Sequence, residues 1–373
     1  MITYYKYTGV DAEPWKFDKV NFSSINLLVG ASGTGKTRFL NTLFNFSDFV
    51  SKGKQIRTGK WKIVIEAGGN EYLWKYEAGA VNSENVIKSE SLIRKNGAKE
   101  EKIIQRGEKE FYFLNQKLPK LDSKVSSITL LKEEEVIKPV HKIFTHVQRR
   151  VFHENVLQEA LSFESIPNAV LDHFKDSRNL EKLWNQSLKV SSRLYIFEQA
   201  FPELYTLATQ FFKQIFPSVL ETKVDIFKDD LIPAGDARVP VLLVKERGVR
   251  DWIPLQGLSS GMQKVMLIVT DILTLPGESV YIIDEYENSL GINAIDFLPQ
   301  FLIDNGRNNQ FIITTHHPYL INSMPIKNWL VFNRKGSTVR IKPGSEFSEK
   351  FGNSKQKAFI QLLNDPFYSK GAR

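Results

Sequence analysis

The order of apolar and polar residues divides the chain into a strand-rich first part, a helical middle part and a mixed last part. Apolar and polar residues alternate in several short stretches before residue 131, as expected for strands with one buried face. One apolar stretch ends at Gly30, which is typical of a buried strand that enters a tight loop. The spacing of Phe39, Leu43 and Phe46 predicts a helix after that loop. The predicted strands are residues 2–7, 15–22, 25–29, 61–65, 71–76 and 111–114.

Glycine is absent between residues 132 and 216, and apolar residues there recur at helical spacing. This stretch predicts helices at 136–152, 155–161 and 193–216. Later residues predict strands at 222–227 and 239–244, a helix at 258–275, a hairpin at 329–332 and 338–341, and a helix at 355–363. The short apolar runs 279–283 and 310–314 are of the kind that is buried in a parallel sheet.

These elements predict an α/β fold in which a mixed β-sheet core carries an inserted helical lobe. We expect residues 1–131 to form the N-terminal part of the core, with antiparallel strands, and residues 132–217 to form the lobe. Residues 218–345 then complete the core, and residues 346–373 form a basic C-terminal tail.

Composition and charge exclude some classes of function. The chain of 373 residues has no cysteine, which excludes disulfides, thiolate metal sites and cysteine catalysis and fits a reducing cytoplasm. It has no long uncharged apolar run and no signal-peptide pattern, so we expect a cytoplasmic protein without membrane contact. The net charge of +8 leaves nucleic acid open as a ligand without establishing it.

The pattern G-x-x-x-x-G-K-[ST] predicts a phosphate-binding loop, or P-loop, at Gly30-Ala31-Ser32-Gly33-Thr34-Gly35-Lys36-Thr37. Glycines allow successive backbone N–H groups to face phosphate oxygens, and the following helix adds its positive end. We expect the Lys36 ammonium to bind the β and γ phosphates of ATP and the Thr37 hydroxyl to bind Mg²⁺. The alternative is a glycine-rich turn with a surface lysine, which leaves the strand before and the helix after the motif unexplained.

Two acids, Asp284 and Glu285, end the apolar run near residue 283. A carboxylate at the carboxyl end of a strand faces the crevice where ligands bind in open α/β sheets. Asp284 suits Mg²⁺, directly or through water, and Glu285 suits the base that polarises the attacking water. The alternative interpretation is a solvated strand end.

Two further segments carry candidate residues. Ser259, Ser260 and Gly261 precede a predicted helix, so they form either a second anion-binding helix N-terminus or a plain N-cap. His316 and His317 follow the strand at 310–314, and we expect one of them to face the crevice. The other histidines show no spacing suited to a metal.

The order of these motifs resembles that of an ABC-type ATPase head, in the soluble branch that includes RecF, SMC proteins and OLD-family nucleases. The resemblance implies a P-loop NTPase fold with a signature loop at Ser259, Ser260 and Gly261, a D-loop at residues 287–291 and a switch histidine at His316. The signature reads Ser-Ser-Gly-Met in this chain, whereas transporters usually have Ser-Gly-Gly-Gln. The Q-loop glutamine is not placed, because its candidates, Gln105, Gln116 and the segment 126–130, all fit poorly.

Absence of long heptad arms argues against a true SMC protein, and absence of an acidic cluster after the head argues against an OLD-type nuclease domain. What remains resembles the stand-alone ATPase subunits of bacterial anti-phage systems such as Septu, PARIS and retron-linked ATPases. That resemblance implies an ATP-driven homodimer, or a higher homo-oligomer, that controls a separate effector such as a nuclease or toxin.

Two other functions stay open. One is a RecF-like DNA repair or maintenance ATPase, and the other is the ATP-binding subunit of an ABC transporter, which the long helical lobe disfavours. Lys142, Arg149 and Arg150 are predicted on one helix face, where they either meet nucleic-acid phosphates or form a solvated basic surface.

Overall fold

The structure is a computed structural model that describes residues 1–97, 99–152, 154–227, 237–288, 290–306, 308–351 and 355–371. Contacts divide the chain into two compact units. The first unit comprises Met1–Arg150, Glu278–Glu285 and Asn308–Arg373, and the second comprises Val151–Gly277 and Tyr286–Arg307. The second unit therefore begins later than the lobe expected at 132–217 and extends well beyond it. No helix in the described ranges is long and apolar enough to cross a membrane.

The strands within the described ranges are, in chain order, β1 (Ile2–Thr8), β2 (Lys16–Phe17), β3 (Val20–Asn21), β4 (Ile25–Val29), β5 (Gly59–Ala67), β6 (Asn70–Val81), β7 (Glu84–Asn96), β8 (Lys99–Arg106), β9 (Phe111–Phe113), β10 (Gln116–Leu118), β11 (Val147–Val151), β12 (Ile166–Pro167), β13 (Val219–Ile226), β14 (Ala237–Arg238), β15 (Pro240–Glu246), β16 (Ile253–Pro254), β17 (Val280–Asp284), β18 (Gln310–Thr314), β19 (Trp329–Lys335) and β20 (Thr338–Pro343).

The α-helices of the same ranges are α1 (Lys36–Lys52), α2 (Ser127–Leu130), α3 (Lys138–Thr145), α4 (Glu154–Leu161), α5 (Asn168–Ser177), α6 (Leu180–Asn185), α7 (Val190–Ala200), α8 (Pro202–Ile215), α9 (Ser260–Thr274), α10 (Ile292–Asn305), α11 (Pro318–Ser323), α12 (Ser345–Phe351), α13 (Lys355–Asn364) and α14 (Pro366–Ser369).

One large sheet organises the first unit, with the strand order β10-β9-β8-β7-β6-β5-β1-β2-β20-β19-β4-β18-β17-β11, and β3 pairs with β1. Strands β17, β18 and β4 are parallel neighbours, and every residue of β17 and β18 is buried, as the sequence predicts. Because parallel strands end at the same edge, this register brings the loop after β4 next to the ends of β17 and β18.

Strands β5 to β9 extend the sheet as antiparallel neighbours, each paired with the next. An aromatic cluster packs α1 and α3 onto these strands. The ring centroid of Phe46 lies 4.9 Å from Trp61, 5.0 Å from Trp74, 5.3 Å from Tyr76 and 6.0 Å from Phe144. Such pairs add to the stabilisation from burial alone, so this cluster fixes the far end of α1.

The second unit contains helices α4 to α10, a sheet of order β13-β15-β16 and the pair β12-β14. The single helix predicted at 193–216 is wrong, because α7 ends at Ala200 and α8 begins at Pro202. Proline lacks an N–H group and clashes inside a helix, but it fits the first turn. The sequence pattern is therefore helical on both sides of Pro202 without being continuous.

The helix predicted at 136–152 is also wrong in its second half. Helix α3 ends at Thr145, and Val147–Val151 form β11, the edge strand beside β17. Tertiary pairing overrides the local helical pattern here. Arg149 and Arg150 consequently lie on a strand and Lys142 on a helix, so the predicted basic helix face does not exist.

Two smaller expectations also need correction. The strand expected at 15–22 is two short strands, β2 and β3, that both pair with β1. The segment expected as a basic tail packs into the first unit through α12, α13 and α14, with Phe347, Leu362 and Tyr368 buried. Residues 352–354, 372 and 373 of that segment lie outside the described residues.

Candidate active site

The predicted P-loop connects β4 to α1, and its backbone requires glycine. Gly33 and Gly35 have φ angles of 80° and 93°, which other residues rarely adopt. A Cβ atom on Gly30 would lie 2.8 Å from Thr34 Oγ1 and 2.9 Å from the carbonyl oxygen of Phe332. The loop can therefore follow this path only with glycine at these positions.

Lys36 is buried at the start of α1, and its ammonium group lies inside the loop. Its Nζ donates to the carbonyl oxygens of Gly30, at 2.8 Å, and Ala31, at 3.2 Å. Thr34 Oγ1 also donates to the Ala31 carbonyl, at 2.8 Å. The protein's own hydrogen bonds therefore hold the lysine against the loop.

Asp284 ends β17 with its side chain buried, and it lies next to Thr37. Thr37 Oγ1 is 3.4 Å from Asp284 Oδ1, and Thr314 Oγ1 donates to the same oxygen at 2.7 Å. The two residues predicted to hold Mg²⁺ are therefore brought together, although they are far apart in the sequence. A hydroxyl and a carboxylate oxygen fit Mg²⁺, which binds proteins through one or two carboxylates together with substrate phosphates.

Glu285 follows with its side chain exposed and its backbone in the left-handed region, at a φ of 53°. Its N–H donates to Thr314 Oγ1 at 2.7 Å. Non-glycine residues rarely adopt this conformation, and such residues concentrate at functional sites. Thr314 thus contacts both acids at once. No motif in the sequence indicates this threonine. The only feature that could have suggested a role in the site is its hydroxyl group at the end of a neighbouring parallel strand.

Arg149 also belongs to the site, whereas the sequence pattern placed it on a basic helix face. Its Nη2 donates to Asp284 Oδ2 at 2.6 Å, and its Nη1 donates to Asn41 Oδ1 on α1. The side chain is only 12% exposed, so it belongs neither to a nucleic-acid surface nor to a solvated basic face.

Trp15 lies near the P-loop and contacts two arginines. The guanidinium carbon of Arg38 lies 4.2 Å from a Trp15 ring centroid and that of Arg334 lies 5.2 Å away, both within cation–π range. Arg334 Nη1 also donates to the Gly33 carbonyl at 2.9 Å. This aromatic group was not among the residues singled out from the sequence.

The predicted signature loop lies in the second unit at the start of α9. Ser259 is the N-cap, and its Oγ accepts a hydrogen bond from Met262 N at 3.4 Å. Ser259 and Ser260 are exposed and Gly261 is half-buried. The simple capping alternative therefore describes part of what Ser259 does, and contact with a nucleotide stays a prediction for all three residues.

Lys264 connects α9 to the segment expected as the D-loop. Its fully buried Nζ donates to the carbonyl oxygens of Tyr286, at 2.6 Å, and Asn288, at 2.7 Å. Ser289, part of that expected D-loop, lies outside the described residues.

His316 is exposed just after β18, and His317 is half-buried at the N-terminus of α11. The switch role of His316 stays a prediction. The Q-loop candidates Gln105 and Gln116 lie on β8 and β10, and Ser126 caps α2. No Q-loop residue is identified among them.

A P-loop after a central parallel strand, an acid-tipped neighbouring strand and a mixed sheet with a second helical unit define an ABC-type ATPase head of the RecF/SMC-like branch. The chain matches the family described as "AAA domain, putative AbiEii toxin, Type IV TA system" over residues 25–322, and it belongs to that family.

A solved Smc head domain shares this fold. A Smc head bound to the C-winged helix domain of ScpA has 10% identity and a TM-score of 0.50, and the match covers 91% of this chain and 96% of that one. The SMC head domain from Thermotoga maritima has 13% identity and a TM-score of 0.40, with 92% and 98% covered. At 10% identity the first match concerns the fold alone. No curated protein matches the chain.

Proposed function

We propose that this chain binds ATP with Mg²⁺ and hydrolyses it to ADP and phosphate. The observation that carries the proposal is the 3.4 Å approach of Thr37 Oγ1 to Asp284 Oδ1 at the end of a P-loop. Two motifs that are distant in the sequence converge there on the donor types that Mg²⁺ takes in nucleotide sites. Family membership and fold support an ATPase of the same general class.

Each residue has a defined task in this proposal. Lys36 and the P-loop N–H groups bind the β and γ phosphates, and Thr37 and Asp284 hold the metal. Mg²⁺ supplies charge neutralisation at the phosphates. Glu285 orients the attacking water and accepts its proton, and His316 contacts the γ-phosphate region from the end of β18. Because Thr314 hydrogen-bonds Asp284 and the Glu285 N–H, it sets the relative position of the two acids.

The hydrolysis cycle would work as a switch for a partner. In this proposal, two copies close on ATP when Ser259, Ser260 and Gly261 of one copy contact the nucleotide of the other, and hydrolysis releases them. The partner in this proposal is a separate nuclease or toxin of bacterial anti-phage defence, as the resemblance to stand-alone defence ATPases implies, whereas the family description itself names a putative toxin of a type IV TA system. A RecF-like role in DNA maintenance is the second proposal, and the net charge of +8 supports it.

Two substitutions separate binding from hydrolysis. Lys36→Ala removes the buried ammonium, and we expect nucleotide affinity to fall by at least about 100-fold, since charge-assisted contacts to phosphate are lost. Glu285→Gln keeps size and polarity but removes the base, so ATP should bind with near wild-type affinity while turnover falls by about 100-fold or more. Fluorescent-nucleotide binding and phosphate release measure the two effects. Wild-type turnover in Glu285→Gln would remove Glu285 from the mechanism.

A further inference from the structure

The carboxylate of Asp284 has a different partner on each oxygen. Oδ1 faces the hydroxyls of Thr37 and Thr314, and Oδ2 accepts from Arg149 Nη2 at 2.6 Å. The side chains of Asp284 and Arg149 are 3% and 12% exposed. The residue proposed to hold Mg²⁺ is therefore already in a close, largely desolvated ion pair with a permanent cation.

Arg149 is held in place by more than its ion pair. Its Nη1 donates to Asn41 on α1, and its guanidinium carbon lies 5.9 Å from the ring centroid of Phe44 on the same helix. Arg149 Nε, in contrast, is buried without a hydrogen-bond partner among the described residues. Arg193 Nε, in the buried Arg193–Asp271 pair on α7 and α9, also lacks a partner among the described residues, so an orphan Nε does not distinguish a site arginine from a structural one.

The buried ion pair on β7 and β8 shows the structural alternative. There Arg106, which faces Glu90 at 3.5 Å, also donates to the carbonyl oxygens of Val125 and Asp122. Arg149 differs because its ion-pair partner is the proposed metal ligand itself.

Electrostatics gives this pair a consequence for metal binding. A divalent cation at Asp284 would lie within a few ångströms of the Arg149 guanidinium, where like charges repel strongly in a poorly solvated site. Lys36 adds a second buried positive charge on the P-loop side. A bare metal ion is therefore disfavoured, whereas a metal that arrives with the negative phosphates of a nucleotide is not.

We propose that Arg149 is a positioning residue that competes with Mg²⁺ for Asp284 and restricts metal binding to the metal–nucleotide complex. The proposal rests on the proposed function, because it takes Asp284 as a metal ligand. It adds that this chain rejects the free metal through a cation of its own.

The test measures metal binding without turnover. Mn²⁺, a paramagnetic substitute for Mg²⁺, is titrated into nucleotide-free protein and followed by electron paramagnetic resonance. We expect negligible binding to wild type and at least about tenfold tighter binding to Arg149→Gln, because the competing charge is gone. Adding Asp284→Asn to that variant should abolish the gain. Arg94→Gln, in the Arg94–Glu101 pair across β7 and β8, is the control for loss of an arginine charge away from Asp284, and it should behave like wild type.

Arg149→Met is a second neutral variant that keeps a long stem beside Phe44, in case the glutamine variant does not fold; melting temperatures report folding. Equal Mn²⁺ affinity in wild type and in the folded neutral variant would overturn the inference, and so would a gain that survives Asp284→Asn.

A parallel titration with ADP separates the two proposals. Suppose that Mn²⁺ binds wild type in the presence of ADP, but the neutral variants bind Mn²⁺ no more tightly than wild type without nucleotide. Then only the proposal that Arg149 competes with the metal fails. If no variant binds Mn²⁺ even with ADP, Asp284 is not a metal ligand and both proposals fail.

Discussion

At the scale of single residues, Thr314 is the contact that joins the two acids of the site. Its one hydroxyl group donates to Asp284 Oδ1 and accepts from Glu285 N, both at 2.7 Å. The residue is 2% exposed, so no solvent replaces these bonds. The left-handed backbone of Glu285 is held on one side by this hydroxyl.

Thr314→Val tests that role because valine has nearly the same shape but no hydroxyl. We expect the free energy of unfolding to fall by about 1–3 kcal/mol, since a buried carboxylate oxygen and a backbone N–H each lose a partner. We expect turnover to fall by roughly 100-fold through misplacement of the acids, with ATP affinity close to wild type. Thr314→Ser, which keeps the hydroxyl, is the control. Full ATPase activity in Thr314→Val would show that Glu285 is positioned by other groups.

Sequence reasoning at this scale found the residues that belong to a contiguous motif and missed those that do not. Lys36, Thr37 and Asp284 are marked by spacing and by the end of an apolar run. Thr314 and Arg149 reach the site only because β18 and β11 are close to β17 in the sheet. Strand order depends on long-range pairing, which one sequence does not display.

At the scale of secondary-structure elements, a buried polar junction ties β7 and β8 to α2. Glu90 Oε1 accepts from Ser126 Oγ at 2.9 Å, and Oε2 accepts from Ser127 N at 2.8 Å and faces Arg106 at 3.5 Å. The Glu90 side chain is fully buried. A segment considered for the Q-loop is therefore held by the antiparallel strands.

Glu90→Gln should destabilise the protein without affecting nucleotide binding. Removing the negative charge leaves Arg106 as a buried cation without its counter-ion, which costs about 3–5 kcal/mol. Glu101→Gln is the matched control, because Glu101 and Arg94 form an exposed pair across the same two strands and such pairs contribute about 0–1 kcal/mol. Urea unfolding measures both variants. Equal unfolding midpoints would mean that Arg106 is satisfied by backbone carbonyls alone.

Elements with a strong local signal were predicted well, and those set by tertiary pairing were not. Strand β18 has the predicted bounds, and α4 begins one residue earlier than predicted. Strand β11 was predicted as helix, because the apolar spacing of Val147–Val151 also fits a helix. Only their pairing in the sheet makes these residues a strand. The break at Pro202 was missed for the opposite reason. Proline does not fit inside a helix, but the apolar spacing continues across Pro202 and predicted one continuous helix.

At the scale of the whole molecule, the proposed switch requires two copies to close on ATP. Ser259→Arg places a long cation on an exposed N-cap, where we expect it to block closure while ATP still binds the P-loop. Ser259→Ala is the control for the lost cap, which alone costs about 1 kcal/mol. Light scattering should give a dimer mass for Glu285→Gln in saturating Mg-ATP and a monomer mass with ADP. A monomer in both states, or full ATPase activity in Ser259→Arg, would contradict the proposed closure.

The route of the chain between its two compact units limits how natural or engineered recombination can exchange them. The chain passes from one unit to the other at 150/151, 277/278, 285/286 and 307/308, so neither unit corresponds to one continuous stretch of gene. A cassette spanning residues 151–307 would transfer the whole second unit, yet it would also carry Asp284 and Glu285. A chimera that acquires a relative's second unit in one step therefore inherits that relative's acids, and it must fit them to a resident threonine at 314 and arginine at 149.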